Sequence, residues 1–279
     1  MTEGRVASIR AETAISRFRR DVTVGRLVRG LFAAALVATF LLPLTPVKLD
    51  PLLVLPVLAC VFLVLTVGSV KGSRLITESP SLIAAGQFDE AERRIDQALR
   101  GFSLFRHVKV LGLHHLALLR HAQRNWHESA MLCRALLGQN PDNLSGVGKP
   151  ARLMLADSLL EMGDVRGAAD AIADPFCQRL SLAEVMKLLA VQLDYQSRVG
   201  AWDDMMNGLT AKVQLAELMP AAAAARSQAL LALAAKNVGR GDWSDWLRRR
   251  AELLADVQKL ATERPVLWEL WRRDVPAPA

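Results

Sequence analysis

The order of apolar and polar positions divides this chain into two parts. From Gly30 to Val47 there are 18 consecutive residues without a charge, and from Pro51 to Val70 another 20. Each run matches the roughly 20 residues that cross a hydrocarbon core of about 30 Å at a rise of 1.5 Å per residue. Beyond Lys71 the pattern changes. In "AAGQFDEAERRIDQALRG" the apolar residues Phe88, Ala91, Ile95, Ala98 and Leu99 recur on one face of a 3.6-residue helix. The expected fold is all-α: two N-terminal transmembrane helices forming a hairpin, then a domain of amphipathic helices.

Two other readings of the apolar runs are weaker. A signal peptide would have a shorter apolar core ending in a small-residue cleavage site, and "PLTPVKLDP" offers none. A pair of core helices would be expected to keep some polar face for water. Between the runs, Pro43, Pro46 and Pro51 break the helix, and the link is too short for a folded insert. The spans are therefore placed at about 27–45 and 51–70 within a hairpin at 27–70, with Thr45 to Asp50 at its tip.

Charge orients the hairpin. Arg5, Arg10, Arg17, Arg19, Arg20, Arg26 and Arg29 precede it against Glu3, Glu12 and Asp21, Lys71 and Arg74 follow it, and the turn holds only Lys48 as a cation. By the bias of short flanks, the N-terminus and everything after Lys71 are expected in the cytoplasm. The expected location is the plasma (inner) membrane, as a multi-pass protein. Residues 1–26 are expected to form a basic cytoplasmic arm. In "GRVASIRAETAISRFRR", Val6, Ile9 and Ile15 or Phe18 fall partly on one side; a helix lying on anionic lipid headgroups is one reading of the arm, and topology determination alone is the simpler one.

After the hairpin a punctuation recurs: a breaker, one residue, then a bulky apolar residue opening a helix. It appears at "GQF", "RNW", "GDV", "GAW" and "GDW", with anchors Gly86, Arg124, Gly163, Gly200 and Gly241 separated by 38, 39, 37 and 41 residues. Each unit would be a helical pair too small to bury its own apolar face, stacked on its neighbours into an α-solenoid. Trp126, Trp202 and Trp243 then occupy equivalent turns and are expected to be packing residues. "PAAAAARSQALLALAAKNVGRG" is expected to be the first helix of the last unit, and "RPVLWELWRR" a capping helix.

The units resemble tetratricopeptide (TPR) repeats. The first supplies Gly86, Phe88, Ala91 and Ala98-Leu99; the second Trp126, Leu136-Leu137 and Pro141; the third Leu155, Ala156, Gly163, Val165 and Ala168. The fourth and fifth keep Gly200 with Trp202 and Gly241 with Trp243, but Met205 and Trp246 stand where a small alanine is expected. The spacing also exceeds the family's roughly 34 residues. About five TPR-like units are assigned to residues 75–260, and residues 261–279 to a capping helix and tail. The resemblance implies a concave groove lined by first helices. It places His114, Leu118, His121, Asp157, Lys187, Asp194 and Arg198 on comparable surfaces as a candidate partner-binding groove. The layout of two spans and then repeats also resembles bacterial membrane-anchored repeat proteins.

Composition and candidate chemistry narrow the function. The formal net charge is +7, but residues 51–279 carry 27 basic and 24 acidic side chains, so the excess sits in the N-terminal arm. A chain with this distribution is not expected to bind nucleic acid. Cys60, Cys133 and Cys177 suggest neither a disulfide framework nor a metal knuckle. His107, His114 and His121 are seven apart, which puts neighbours about 10.5 Å apart along a helix axis, too far to share one small ion. "SGVGKP" lacks the earlier glycine and the Ser or Thr of a phosphate loop. "RGD" at Arg240 to Asp242 is an inter-helix turn. No catalytic set, cofactor or metal is predicted. The expected function is that of a non-enzymatic scaffold recruiting a protein or peptide partner to the cytoplasmic face, with an accessory subunit packing through its hairpin as the alternative.

Overall fold

The computed structural model describes residues 9–41, 51–101, 103, 105–139, 146–176 and 179–271. The hairpin tip, Val6, Pro141, Cys177 and the last eight residues lie outside them. Among the described residues the fold is all-helical, with no strand. It divides into two compact units, 1–158 and 159–279.

Unit 1 begins with two long helices, α1 (Ala11–Leu41) and α2 (Pro51–Thr77). Both are long and apolar enough to cross a membrane, and almost none of their apolar stretch is buried in the protein. Leu31, Val37, Val57, Leu63 and Val64 are all more than half exposed, which a core helix of a soluble protein would not tolerate. Where the helices run side by side, the rings of Phe32 and Phe62 meet with centroids 5.8 Å apart.

Neither helix ends where the apolar run ends. The last turns of α2 continue into α3 (Ser79–Ala84), and together they pack on α4 (Phe88–Arg100) and α5 (Arg106–Ala122). Ile76, at the end of α2, is fully buried against Ala98 and Val108. Ile76 thus lies within the expected helical domain while belonging to the same helix whose earlier turns carry the apolar run.

Ile9 and the first half of α1 do not form a lipid-facing arm. Ile9, Ala11, Ala14, Phe18 and Val22 are buried, with α1 packed on α4, α5 and α6 (Trp126–Leu137). The apolar positions 11, 14, 18 and 22 recur at helical spacing, and the stripe that would have faced lipid faces protein instead. The arginines between them, such as Arg19 and Arg20, point outward and are exposed.

His115 joins the end of α2 to α5. The Ile76 carbonyl accepts from the Ser79 hydroxyl at 2.8 Å and from His115 Nδ1 at 3.0 Å. Burial lowers the His115 pKa below its ordinary 6.5, and the bond to Ile76 offsets this in part. The unfolded chain therefore takes up this proton first. Stability is undiminished above about pH 6.5 and falls as the pH drops toward the folded-state pKa. His115→Gln is expected to flatten that acid-side loss, as checked by unfolding midpoints at pH 8 and 5.5. An unchanged slope would mean another group carries it.

The boundary between the units falls inside α7 (Gly148–Glu161). Unit 2 continues with α8 (Val165–Phe176), α9 (Leu182–Val199), α10 (Trp202–Met206), α11 (Leu209–Glu217), α12 (Ala221–Asn237) and α13 (Gly241–Leu254). A capping box formed by Ser181 and Glu184 starts α9. The alanine-rich α12 is buried from Ala229 to Ala235 at the centre of this unit. Its small side chains let α13 pack close along it.

The C-terminal segment forms α14 (Val257–Glu263), a 3-10 turn at Pro265–Leu267 and α15 (Trp268–Trp271). Trp271 is 1% exposed and donates its indole N–H to Glu252 at 2.8 Å. The segment therefore packs on the unit 2 core as a cap.

The turns between paired helices carry the clearest regularity. Gly86, Arg124, Gly163, Gly200 and Gly239 all have positive φ, the left-handed conformation that ends a helix and that glycine adopts at least cost. Arg124, at φ 59°, is the one non-glycine among the described residues to adopt it. The spacings are 38, 39, 37 and 39 residues. After each of these five positions the next helix opens two residues later, at Phe88, Trp126, Val165, Trp202 and Gly241.

The fifth anchor is thus Gly239, not Gly241, and the register shifts by two. The position five residues after each anchor is now Ala91, Ser129, Ala168, Met205 and Ser244, every one buried. The expected conflict at Trp246 disappears. At Met205 it is real: α10 ends one residue later, and Gly208, at φ 65°, starts α11. The helix that opens at Trp202 is consequently broken after 5 residues.

Candidate functional site

The candidate groove residues of unit 1 come together. His114, Leu118 and His121 lie at i, i+4 and i+7 along α5 and are half-buried. His121 Nε2 lies 2.8 Å from Asp157 Oδ2 on α7. A carboxylate only accepts, so Nε2 carries the proton in this bond. Trp126, at the first position of α6, sets its ring edge-on to His121 with centroids 5.0 Å apart at 78°. His114 lies beside His115, centroids 5.8 Å apart. The result is a patch of imidazole, indole, aliphatic and carboxylate groups drawn from three helices.

The unit 2 members divide differently. Lys187 is exposed on α9. Asp194 is 1% exposed and is not a surface residue. It accepts from Arg198 Nη2 at 3.3 Å and pairs with Arg264 Nε at 3.0 Å, while Arg264 also binds Glu161. Asp194 therefore belongs to a buried ionic cluster with Arg264 that ties the C-terminal cap to α9, while Arg198 reaches it from the exposed side of the helix. Removing Asp194 or Arg264 would take away the buried partner of the other.

A similar cluster in unit 1 was not anticipated. The Arg120 side chain is 3% exposed and pairs with Glu92 at 2.7 Å and Glu128 at 2.8 Å. It also donates to the Ile9 carbonyl at 2.8 Å, while the Ile9 N–H donates to Glu92 at 2.8 Å. Nearby, Lys109 donates to the carbonyls of Leu99 and Gly101, both at 2.6 Å, where α4 ends, and pairs with Asp21 of α1 at 2.8 Å. These groups hold α1 to the paired helices. Sequence carried a signal: Glu92, Lys109 and Arg120 stand in register with the buried stripes, Glu92 three before Ile95 and Lys109 four before Leu113.

Two surface features also emerge. Trp243 and Trp246 are 37% and 41% exposed, stacked edge to face, with the Arg250 guanidinium 4.8 Å from the Trp246 ring. The expectation that Trp243 packs like Trp202 fails because the true anchor lies at Gly239. A cavity of about 380 Å³ opens between the lower end of α2 and the start of α5.

Among the described residues no group of three His, Cys, Asp or Glu side chains could hold a metal ion. Burial pushes the Cys133 thiol up to about 12, so it is an apolar core residue and not a nucleophile.

Fold and site together define an all-helical protein with two helices able to cross a membrane and a mixed polar and aromatic patch on its first unit. In comparisons with protein families, curated proteins and solved structures, the chain matches none.

Proposed function

We propose that the protein is a membrane-anchored, TPR-like scaffold whose helical pairs recruit a protein partner to the cytoplasmic face. The observation that carries this reading is the continuity of α1 and α2. Each is exposed and apolar over one part and built into the core of the paired helices over the other. A hairpin so joined anchors the domain directly at the bilayer, where recruitment works by raising the local concentration of a bound partner. The left-handed turns at near-constant spacing support repeated helical pairs. The patch of His114, Leu118, His121 and Asp157, with Trp126 beside it, supplies an aromatic and polar surface of the kind that anchors partners. No catalytic role is proposed for any residue.

The test has two stages. A reporter active only in the cytoplasm, fused after Ala279, is expected to be active, and one active only outside to be silent; the opposite result overturns the orientation. A photo-crosslinker at Leu118 should then capture a specific protein, and His114→Ala with His121→Ala should lower that yield about tenfold, equivalent to roughly 1.4 kcal/mol. An unchanged yield removes this surface from the proposal.

A second reading has one observation in its favour. Gly30, Ala33, Ala34 and Ala38 are exposed, and nothing lies within 4 Å of a Cβ built on Gly30. The small-residue side of α1 is not consumed by α2 and is open to a helix of a larger membrane complex. Crosslinks confined to the spans, with none at Leu118, would favour that accessory role.

A further inference from the structure

The cavity at the base of the hairpin joins two kinds of surface. Its polar lining includes Ser69, Ser73 and Arg74 from α2 and His107 from α5, and its apolar lining includes Val70 and Phe105. Glu78, the only acidic side chain among the described lining residues, is engaged by Arg94. Among the described residues Arg74 has no ion pair, and the Ser73 hydroxyl and the His107 imidazole line the cavity with it as hydrogen-bond donors, whereas the Ser69 hydroxyl donates to the Leu65 carbonyl at 2.9 Å.

Its position along α2 is equally specific. Ser69 and Val70 close the uncharged run, and Lys71 and Arg74 are the first charges after it. Leu63, Val67, Val70 and Arg74 follow at i, i+4, i+7 and i+11, so they share one helix face. Leu63, Val67 and Val70 are 63%, 54% and 45% exposed. An apolar track thus leads down one face of the helix and ends in a cationic, hydroxyl-lined cavity.

We infer that this cavity binds the headgroup of an anionic membrane phospholipid, the phosphate held by Arg74, His107 and Ser73 and an acyl chain lying along Val70, Val67 and Leu63. Both parts of such a molecule find their chemical match in the order a bilayer presents them. The amine of a zwitterionic headgroup would instead meet Arg74 and Lys71. A free phosphate would use the cavity but leave the apolar track bare. The lipid would brace α2 against α5, because the cavity draws its walls from both.

This inference rests on the hairpin entering a bilayer, and the two fail separately. If alkaline carbonate strips the full chain from membranes, the anchor is overturned and the lipid site with it. If the chain stays, native mass spectrometry of the detergent-solubilised protein tests the site alone, with phosphatidylglycerol and phosphatidylcholine as probes. Wild type is expected to retain phosphatidylglycerol preferentially. Arg74→Gln with His107→Gln should lower that retention about fivefold or more, while Arg19→Gln with Arg26→Gln leaves it unchanged. Ser73→Leu removes the hydroxyl and narrows the cavity without altering any charge and should also lower retention. Equal retention of both lipids, wild-type retention in Ser73→Leu, or equal losses in the two arginine-containing pairs would overturn the site. Displacement of the lipid by soluble glycerol phosphate would assign the cavity to a soluble anion instead.

Discussion

Arg120→Ala is expected to destabilise unit 1 by about 3–5 kcal/mol, the cost of breaking a buried ion pair and leaving its partners uncompensated. Glu92 would keep one bond, from the Ile9 N–H at 2.8 Å, but lose its counter-charge in a site where it is only 7% exposed. The Ile9 carbonyl would lose the donor it now has from Arg120. Unfolding in denaturant of the detergent-solubilised chain would read the loss as a lower midpoint. Arg120→Met with Glu92→Met should recover only part of it, because the charge on Glu92 is gone but Glu128 and the Ile9 backbone still lose their partners. A single-variant loss below about 1 kcal/mol would mean that the pair behaves as an exposed one.

Phe18→Ala is the second large effect, expected at about 3–5 kcal/mol from the lost transfer energy and the cavity left behind. Phe18 is 1% exposed, between Ala14 and Val22 on the buried stripe of α1. The sharper readout is local: amide exchange in α4 and α5 should quicken, since α1 covers them. Arg19→Gln with Arg20→Gln should change stability by less than about 0.5 kcal/mol, as surface substitutions do. An arm held by lipid would show the reverse pattern, indifferent to Phe18 in detergent and dependent on the arginines in vesicles.

Much of this architecture could be read from the sequence because it rests on local physics. Two uncharged runs of membrane length and a helical period after them need no tertiary information. The turns were legible wherever a breaker preceded a bulky residue, as at Gly86 with Phe88 and Gly200 with Trp202. The last turn misled because "GRGDW" contains two glycines: Gly239 adopts the left-handed conformation, whereas Gly241 opens a helix. Counted from Gly241, the packing positions fall on Trp243 and Trp246; counted from Gly239, they fall on Gly241 and Ser244.

The candidate site was only partly legible for a different reason. His114, Leu118 and His121 share a face by spacing alone, but the contact of His121 with Asp157 joins helices 36 residues apart. Asp194 has the spacing of a surface residue until Arg264, 70 residues on, covers it. Arg120 meets Ile9 across 111 residues. Charges standing in register with an apolar stripe were the available clue. The basic arm concealed its role because its net charge drew attention away from the apolar residues at every third or fourth position.

The unbroken helices also set a height. At 1.5 Å per residue the 31 residues of α1 span about 46 Å, against a hydrocarbon core of about 30 Å. In the proposed anchoring, the buried stretch from Ala11 to Val22, about 18 Å of the same rod, would stand outside the lipid, held within unit 1 by Phe18 and Asp21. A flexible tether would let the domain roam over the membrane and tumble freely. In that arrangement the mount would hold unit 1 at one distance from the lipid, and a tilt of the hairpin would swing it as a lever. A change in bilayer thickness would then shift unit 1 relative to the membrane surface.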